Sequence, residues 1–415
     1  MASPLYRLLV DHFDSFRGRY EDRHERQYGR WRHVIDEVVA RFLECGVLEA
    51  GFARVRCDEC KAEFLLAFSC NCRYFCPTCH AKRLALWCLW LEDELLAPVP
   101  HRQFVFSLPK RLRPYFLRRR RLLGDLARIT AASTTAFVRA TLGEPDLSVG
   151  IALSIQTHGS LLNWQPHIHA LVTDGGFRPD GTFVSMPVHA TDVLTEALRR
   201  AVLQLFVDRE LFEPEVAESM LDWMHSGFSV DDSVWLDQDD RSSHLRLARY
   251  CARCPVSLER LEYHADAGEA GEATYTSDKT TGPTAGVHTF DPLEFIARLA
   301  AHIPDKGQVL QRYYGYYAWP SPRHTAQGDR GRNGQRGLTP RRWSTLCRDG
   351  GVFQPRRTPP LGRTTAAYLR DRPAQVSGLR GPDAFRRLHP DATRDRPDPA
   401  PSAREGQGPS RRALV

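Results

Sequence analysis

The spacing of apolar and polar positions divides the chain into three stretches. In HAKRLALWCLWLEDELL (80–96), Leu84, Trp87, Leu91 and Leu95 recur at the period of one helix face. Pro98 and Pro100 stop that helix, so residues 1–100 read as one unit with a polar helical lead-in. From 101 to about 320 the two periods mix. HRQFVFSLP (101–109), LSVGIALSIQTH (147–158) and PHIHALVTD (166–174) predict strands, and the short linker GSLLNWQ pairs the last two antiparallel. Helices are predicted over 115–141, 190–209 and 213–226, and a hairpin over 258–264 and 272–277. Asp291-Pro292 supplies the N-cap and first position of a further helix, LEFIARLAAH. Residues 321–415 hold 12 Pro, 11 Gly and 20 Arg with no apolar period, a composition that predicts mostly disorder.

Length and composition narrow the class. A chain of 415 residues has room for two or three domains, and 42% hydrophobic with 26% charged residues is ordinary for a globular protein. No apolar run approaches the roughly 18–20 residues that span a bilayer. The start, MASPLYRLLVDHF, carries Arg7 within its short apolar stretch and lacks a basic leader, so a secreted or membrane protein is not expected and a cytoplasmic one is. The net charge of +7 is unevenly placed. The last stretch has 20 Arg, no Lys and 8 acidic residues (+12), which leaves 37 basic and 42 acidic residues (−5) before it.

Six of the 11 cysteines fall between Cys57 and Cys79, and clustering of that kind without an export signal points to metal. Cys57-x2-Cys60 and Cys76-x2-Cys79, fifteen residues apart, fit a four-thiolate zinc site. Four thiolates leave no open position for a substrate, so its role is structural. Cys70, Cys72 and His80 are surplus and leave room for a reshuffled ligand set or a second ion. Arg54, Arg56, Lys61, Arg73, Lys82 and Arg83 surround the cluster and suit a nucleic-acid backbone.

In PHIHALV the side chains alternate, so His167 and His169 share one strand face, about 7 Å apart along the backbone, while Ile168 enters the core. Gln156 and His158 share a face of the preceding strand, and either completes a three-ligand site suited to Mg²⁺ or Mn²⁺ engaged with a phosphate. QRYYGYYAW places Tyr313, Tyr314, Tyr316 and Tyr317 together. On a helix Tyr313 and Tyr317 share a face, although Gly315 costs that helix about 1 kcal/mol. A tyrosine with pKa near 10 needs roughly 4 kcal/mol of help to attack a phosphate at neutral pH. A metal ion supplies several kcal/mol, which links the histidines to the tyrosines.

The knuckle CxxC…SCxxRxFCPxC, the QxHG and QPHIHALV segments, and RYYGxYA resemble the rolling-circle transposases of the insertion-sequence ninety-one family, within the HUH (His-hydrophobe-His) endonucleases. The resemblance spans about residues 25–325 and includes LPKRLR (108–113), GFSV (227–230) and LARYCARCPVSLERL (247–261). It implies an α+β fold: a ferredoxin-like antiparallel palm (101–320) after a small zinc-binding, DNA-binding domain (1–100), with the basic tail (321–415) following. It implies metal ligation by His167 and His169 with Gln156 as third ligand, His158 remaining the alternative, and nucleophiles at Tyr313 and Tyr317. Tyr314 and Tyr316 are left for packing or base stacking, and Cys251-x2-Cys254 is incidental. The activity implied is metal-dependent cleavage and transfer of single-stranded DNA ends of its own element through a 5′-phosphotyrosine. The zinc lobe and the basic segment RLRPYFLRRRR (111–121) would hold the DNA. A replication initiator or relaxase of the same chemistry, and a catalytically dead zinc-dependent DNA-binding protein, are the alternatives. The lone Cys347 and the Arg/Pro/Gly tail stand where the family's second cysteine knuckle is usual.

Overall fold

The computed structural model describes residues 3–318, apart from 58, 269 and 270; the tail and Cys347 lie outside the described residues. The chain begins with α1 (Pro4–Arg23), α2 (Glu25–Tyr28) and α3 (Val34–Leu43), followed by a two-stranded ribbon of β1 (Phe52–Arg56) and β2 (Glu63–Ala67). The Ser3 hydroxyl accepts the Tyr6 N–H at 3.2 Å, and Pro4 takes the first position of α1. Next come α4 (Pro77–Trp90), which widens into a π turn over Leu91–Leu95, then β3 (His101–Ser107), α5 (Arg113–Arg118), α6 (Arg121–Leu142), β4 (Gly150–His158) and β5 (Trp164–Thr173). After the small pair β6 (Gly175–Phe177) and β7 (Phe183–Ser185) the chain forms α7 (Asp192–Asp208), α8 (Pro214–Leu221), β8 (Ser229–Leu236) and α9 (Arg241–Cys251). It closes with β9 (Leu261–His264), β10 (Glu272–Thr276), β11 (Val287–Phe290), α10 (Pro292–Ala301) and β12 (Gln311–Gly315).

The result is α+β. Five antiparallel strands in the order β12-β4-β5-β3-β8 form the main sheet, and β4 and β5 pair as their linker predicts. One face, with Phe104, Phe106, Ile151, Leu153, Ile168 and Val172, packs under α5–α8. The other, with Ala152 and Leu171, is covered by α4 and α9 through Cys88, Leu91, Leu95 and Ala248. The expected helix over 115–141 is two helices, broken where Arg119 turns out of helical geometry (φ −120°, ψ 72°). Gly143, in the left-handed conformation (φ 67°), caps α6. The helix expected over 213–226 ends at Leu221.

Two expectations change in the fold. The first hundred residues share their core with the rest of the chain. Leu5, Leu8, Leu9 and Phe16 line one stripe of α1 and pack with Phe295, Ile296, Leu299 and Tyr275. A lone amphipathic helix cannot bury its stripe, and α10 supplies the partner. The tyrosine segment is not helical. Residues 311–315 form the edge strand β12, and a turn over 316–317 follows. Aromatic residues suit a pleated, half-buried surface, and the pairing of Tyr313 with Ala152 and Tyr314 with Ile151 gives β12 its place.

His101 and His302 are buried and neutral. His101 Nε2 lies 2.6 Å from the Tyr317 hydroxyl, while His302 meets the Thr157 hydroxyl at 2.9 Å and the Leu162 carbonyl at 3.0 Å. Burial pushes both pKa values down to about 3, below the usual 6.5. Between those values the unfolded chain binds two protons that the native chain refuses. Stability therefore falls as pH drops below about 6.5, by up to about 2.7 kcal/mol per pH unit for the pair. Urea midpoints at pH 7.5 and pH 5.5 check this; a midpoint that does not fall on acidification would contradict it.

Candidate functional site

Two centres emerge. The first is a thiol cluster in the N-terminal lobe. Cys45, just after α3, and Cys70 bring their sulfurs within 4.8 Å of those of Cys76 and Cys79 at the start of α4. Sulfurs bound to one tetrahedral zinc at 2.3 Å lie about 3.8 Å apart. The observed separations are 3.9 Å for Cys45–Cys76, 3.5 Å for Cys45–Cys79 and 3.6 Å for Cys70–Cys79. The donor set thus fits zinc. Backbone N–H groups of Cys70 and Cys72 point at the sulfurs of Cys45 and Cys70, both at 3.4 Å, and stabilise thiolates there. The Cys70 thiol hydrogen-bonds to Cys79 and holds that thiol well below its ordinary pKa.

The ligand set differs from the sequence expectation in half its members. Cys57 and Cys60 sit, exposed, beyond the end of β1 and outside this cluster, and Cys45 and Cys70 take their places. The five-residue strands of the β1–β2 ribbon carry the first CxxC away from the helix start that holds the second. Of the surplus residues, the Cys72 thiol approaches the carbonyls of Cys70 and Val38. His80 spends both ring nitrogens, accepting from Tyr74 N–H at 3.1 Å and donating to the Ala252 carbonyl at 2.7 Å. Cys45 was findable only as a cysteine-glycine at a helix end, 25 residues before Cys70 and in no paired motif.

The second centre lies on the sheet face beneath α4 and α9. Register places Gln156 opposite His167 and Ser154 opposite His169, so the three expected ligands share one face of β4 and β5. The two imidazoles meet edge to face, centroids 4.9 Å apart. His167 Nδ1 donates to the Gln165 carbonyl at 2.8 Å, which leaves the lone pair on Nε2. His169 Nδ1 accepts from the Gln103 amide N–H at 2.9 Å, which places the neutral ring's proton on Nε2, an atom buried with no hydrogen-bond partner. Turning the Gln103 amide over would move that proton to Nδ1 and free Nε2 as a ligand. His158 Nε2 is likewise buried with no hydrogen-bond partner. Burial lowers the pKa of all three, that of His169 to about 3, so the rings are neutral. A neutral ring whose free nitrogen carries the lone pair is what a divalent ion takes, as His167 Nε2 does here. Gln156 donates its amide hydrogens to the carbonyls of Tyr250 (2.8 Å) and Cys251 (2.7 Å), which ties the end of α9 to this face and leaves its oxygen as the acceptor.

The tyrosine that reaches the histidines is Tyr250, in the last turn of α9. Its ring stands edge-on to His169 with centroids 5.4 Å apart, and the side chain is 49% exposed. The Arg253 guanidinium lies 5.0 Å from the centre of that ring and is held by Asp278 at 2.7 Å. Tyr313 and Tyr317 are engaged elsewhere. The Tyr313 hydroxyl accepts from the Trp87 indole at 2.6 Å, with its ring against Trp90. Tyr317 is 3% exposed, and its hydroxyl meets Ala97 N–H and His101. Both face the core between the sheet and α4, and neither makes a ring contact with His167 or His169 among those of the described residues. Tyr316 packs flat on Phe177, centroids 3.8 Å apart. Cys251 and Cys254 form no cluster: Cys251 lies beside Gln103 (3.5 Å) and burial pushes both thiols up to about 12. The segment 111–121 also divides. Arg120 is buried on the carbonyls of Ala301 and Ile303, and Arg113 on that of Leu108, while Arg111, Arg118, Arg119 and Arg121 remain exposed.

A lobe whose thiols fit zinc, joined to an antiparallel sheet with paired histidines, fits the class of DNA transposases, and the comparisons with known proteins place the chain there. A family model described as Putative transposase matches residues 150–325, and one described as Transposase zinc-binding domain matches residues 13–108. The chain is 29% identical over 313 residues to the transposase for insertion sequence element IS801 of Pseudomonas savastanoi pv. phaseolicola, covering 71% of this chain and 73% of the relative. It is 27% identical over 331 residues to Putative transposase y4qJ of Sinorhizobium fredii, covering 73% and 79% respectively. No solved structure matches it. The chain belongs to the transposases of the insertion-sequence ninety-one family that carry an N-terminal zinc-binding domain. It is an enzyme acting on DNA, and among the described residues no helix is long and apolar enough to cross a membrane.

Proposed function

We propose that this transposase cuts and rejoins single-stranded DNA at the ends of its element, with Tyr250 as the nucleophile. The observation that carries the reading is the contact between the half-exposed Tyr250 ring and His169. Tyr250 Oη attacks the scissile phosphorus, the bond from phosphorus to the 3′ oxygen breaks, and the tyrosine proton passes through solvent to that oxygen. The products are a 5′-phosphotyrosine and a free 3′-hydroxyl. Rejoining reverses the step and needs no ATP, because one phosphodiester has been exchanged for another. His167, His169 and Gln156 or His158 would hold the divalent ion, Mg²⁺ or Mn²⁺. Such an ion, when bound, polarises the phosphate and offsets the charge that develops on it. Gln103 orients His169, and Gln156 fixes the Tyr250 backbone relative to His167.

Arg253 holds a positive charge over the Tyr250 ring, 5.0 Å from its centre and fixed by Asp278, within side-chain reach of a phosphate bound at that tyrosine. Arg253→Ala is expected to slow single-turnover nicking about 10²-fold, with Arg253→Lys recovering part of the loss. An unchanged rate in the alanine variant would remove Arg253 from the chemistry. Binding of single strands through Lys and Arg is expected to weaken steeply between 50 and 200 mM salt, as measured by fluorescence anisotropy. Metal-dependent nicking also separates this reading from a catalytically dead DNA-binding protein, which would bind without cutting.

A further inference from the structure

We propose that the β1–β2 ribbon is a stacking platform for single-stranded DNA, with the Phe64 and Phe68 rings receiving bases of one strand. The inference takes its partner from the reading above and concerns the holding of the strand, not its cutting. It starts from apolar side chains that the fold leaves in water.

Alternation along β2 puts Phe64 and Leu66 on one face of the ribbon, and register places Val55 and Ala53 opposite them. The Phe68 N–H reaches the Gly51 carbonyl at 3.0 Å, which carries the same pairing one step beyond the strands and sets Phe68 on that face. Gly51 has a φ of 119°, and a Cβ there would come within 2.9 Å of the Phe68 ring, so the ring lies over bare backbone. Phe64, Leu66 and Phe68 are 47%, 54% and 58% exposed, and the face they form carries no charge. Every strand residue of the ribbon except Ala53 and Ala67 is exposed. Large apolar side chains gathered on a surface in this way mark an interaction site.

Charge and size choose the occupant. The reverse face holds Arg54 and Arg56 on the Glu63 carboxylate, at 2.6 and 3.4 Å, so two guanidiniums share one negative charge. Residues 51–83 have six basic and three acidic side chains, whereas residues 1–320 as a whole have 37 basic and 42 acidic ones. Aromatic rings backed by net positive charge match a partner with bases on one side and phosphates on the other. A duplex keeps its base faces stacked inside, so a single strand is the form that offers them. A second copy of the chain fits poorly. The ribbon measures about 10 by 17 Å, far below the roughly 800 Å² per partner of a stable dimer.

The test is fluorescence anisotropy of the full chain with a labelled oligothymidine strand and with a duplex of equal length, without added divalent ion. Phe64→Ala/Phe68→Ala is expected to bind the single strand at least about tenfold more weakly, by the same factor at 50 and 200 mM salt. A parallel loss marks stacking, because a lost phosphate contact would also flatten the salt dependence. Phe64→Trp/Phe68→Trp keeps the aromatic faces and is expected to stay within about twofold of wild type. Phe64→Leu/Phe68→Leu keeps only apolar bulk and is expected to lose as much as the alanine pair. Wild-type affinity in the alanine or the leucine variant would overturn the proposal and leave the single-strand reading standing. A wild type that prefers the duplex would overturn both. A wild-type dimer, seen by light scattering, that the alanine pair splits would give the face to a second copy instead.

Discussion

Replacing Cys79 by serine is expected to release about one zinc ion per chain and to unfold the N-terminal lobe. Cys79 lies within reach of both Cys45 and Cys70, so its loss removes the ligand on which the cluster turns. Zinc held by four thiolates contributes on the order of 10 kcal/mol, comparable to the whole stability of a domain. The damage is not confined to the cluster. Phe42, Phe75 and Cys76 belong to the same core as Val256, Phe295 and Leu299, so α10 and its neighbours lose packing as well. Cys72→Ser serves as the contrast, because that thiol meets carbonyl oxygens, and it is expected to keep its zinc. Metal analysis together with limited proteolysis reads both. Full zinc in the Cys79 variant would refute this ligand set.

Tyr250→Phe is expected to reduce nicking of single strands by on the order of 10⁴-fold or more while leaving DNA binding intact. The substitution removes one oxygen and keeps the ring that packs on His169. Tyr313→Phe is expected to stay within about threefold of wild type and to cost about 1 kcal/mol of stability, through loss of the hydrogen bond from Trp87. The two variants thus separate the residue beside the histidines from the residue in the aromatic run. Loss of nicking in Tyr313→Phe with activity retained in Tyr250→Phe would reverse the assignment.

Much of the scaffold could be read from periodicity. β3, β4, β5, α4, α7 and α10 lie where alternation, helix period and the Asp291 cap put them, because each is decided by which side chains its own neighbours bury. The His-x-His pair was legible for the same reason, since alternation alone fixes His167 and His169 on one face. What failed depended on distant contacts. QRYYGYYAW was read by i, i+4 spacing, but pairing with β4 makes it a strand, and nothing within those residues reveals that partner. The contact of Tyr250 with His169 is not legible in LARYCARCP, because it depends on where α9 docks, which Gln156 fixes from 94 residues away. The gathered thiols differ by half from the two CxxC pairs for a similar reason. Paired CxxC spacing is a local signal, whereas Cys45 reaches the site through the fold of α3 against Phe75.

The most direct measurement is to trap the covalent intermediate and find the residue that carries it. Purified protein, Mn²⁺ and a labelled single strand from the DNA flanking its gene are incubated, denatured and digested, and the nucleotide-bearing peptide is sequenced by mass spectrometry. The account predicts a 5′-phosphotyrosine at Tyr250, formed only with the divalent ion. An adduct at Tyr313 or Tyr317, or cleavage without any tyrosine adduct, would contradict it.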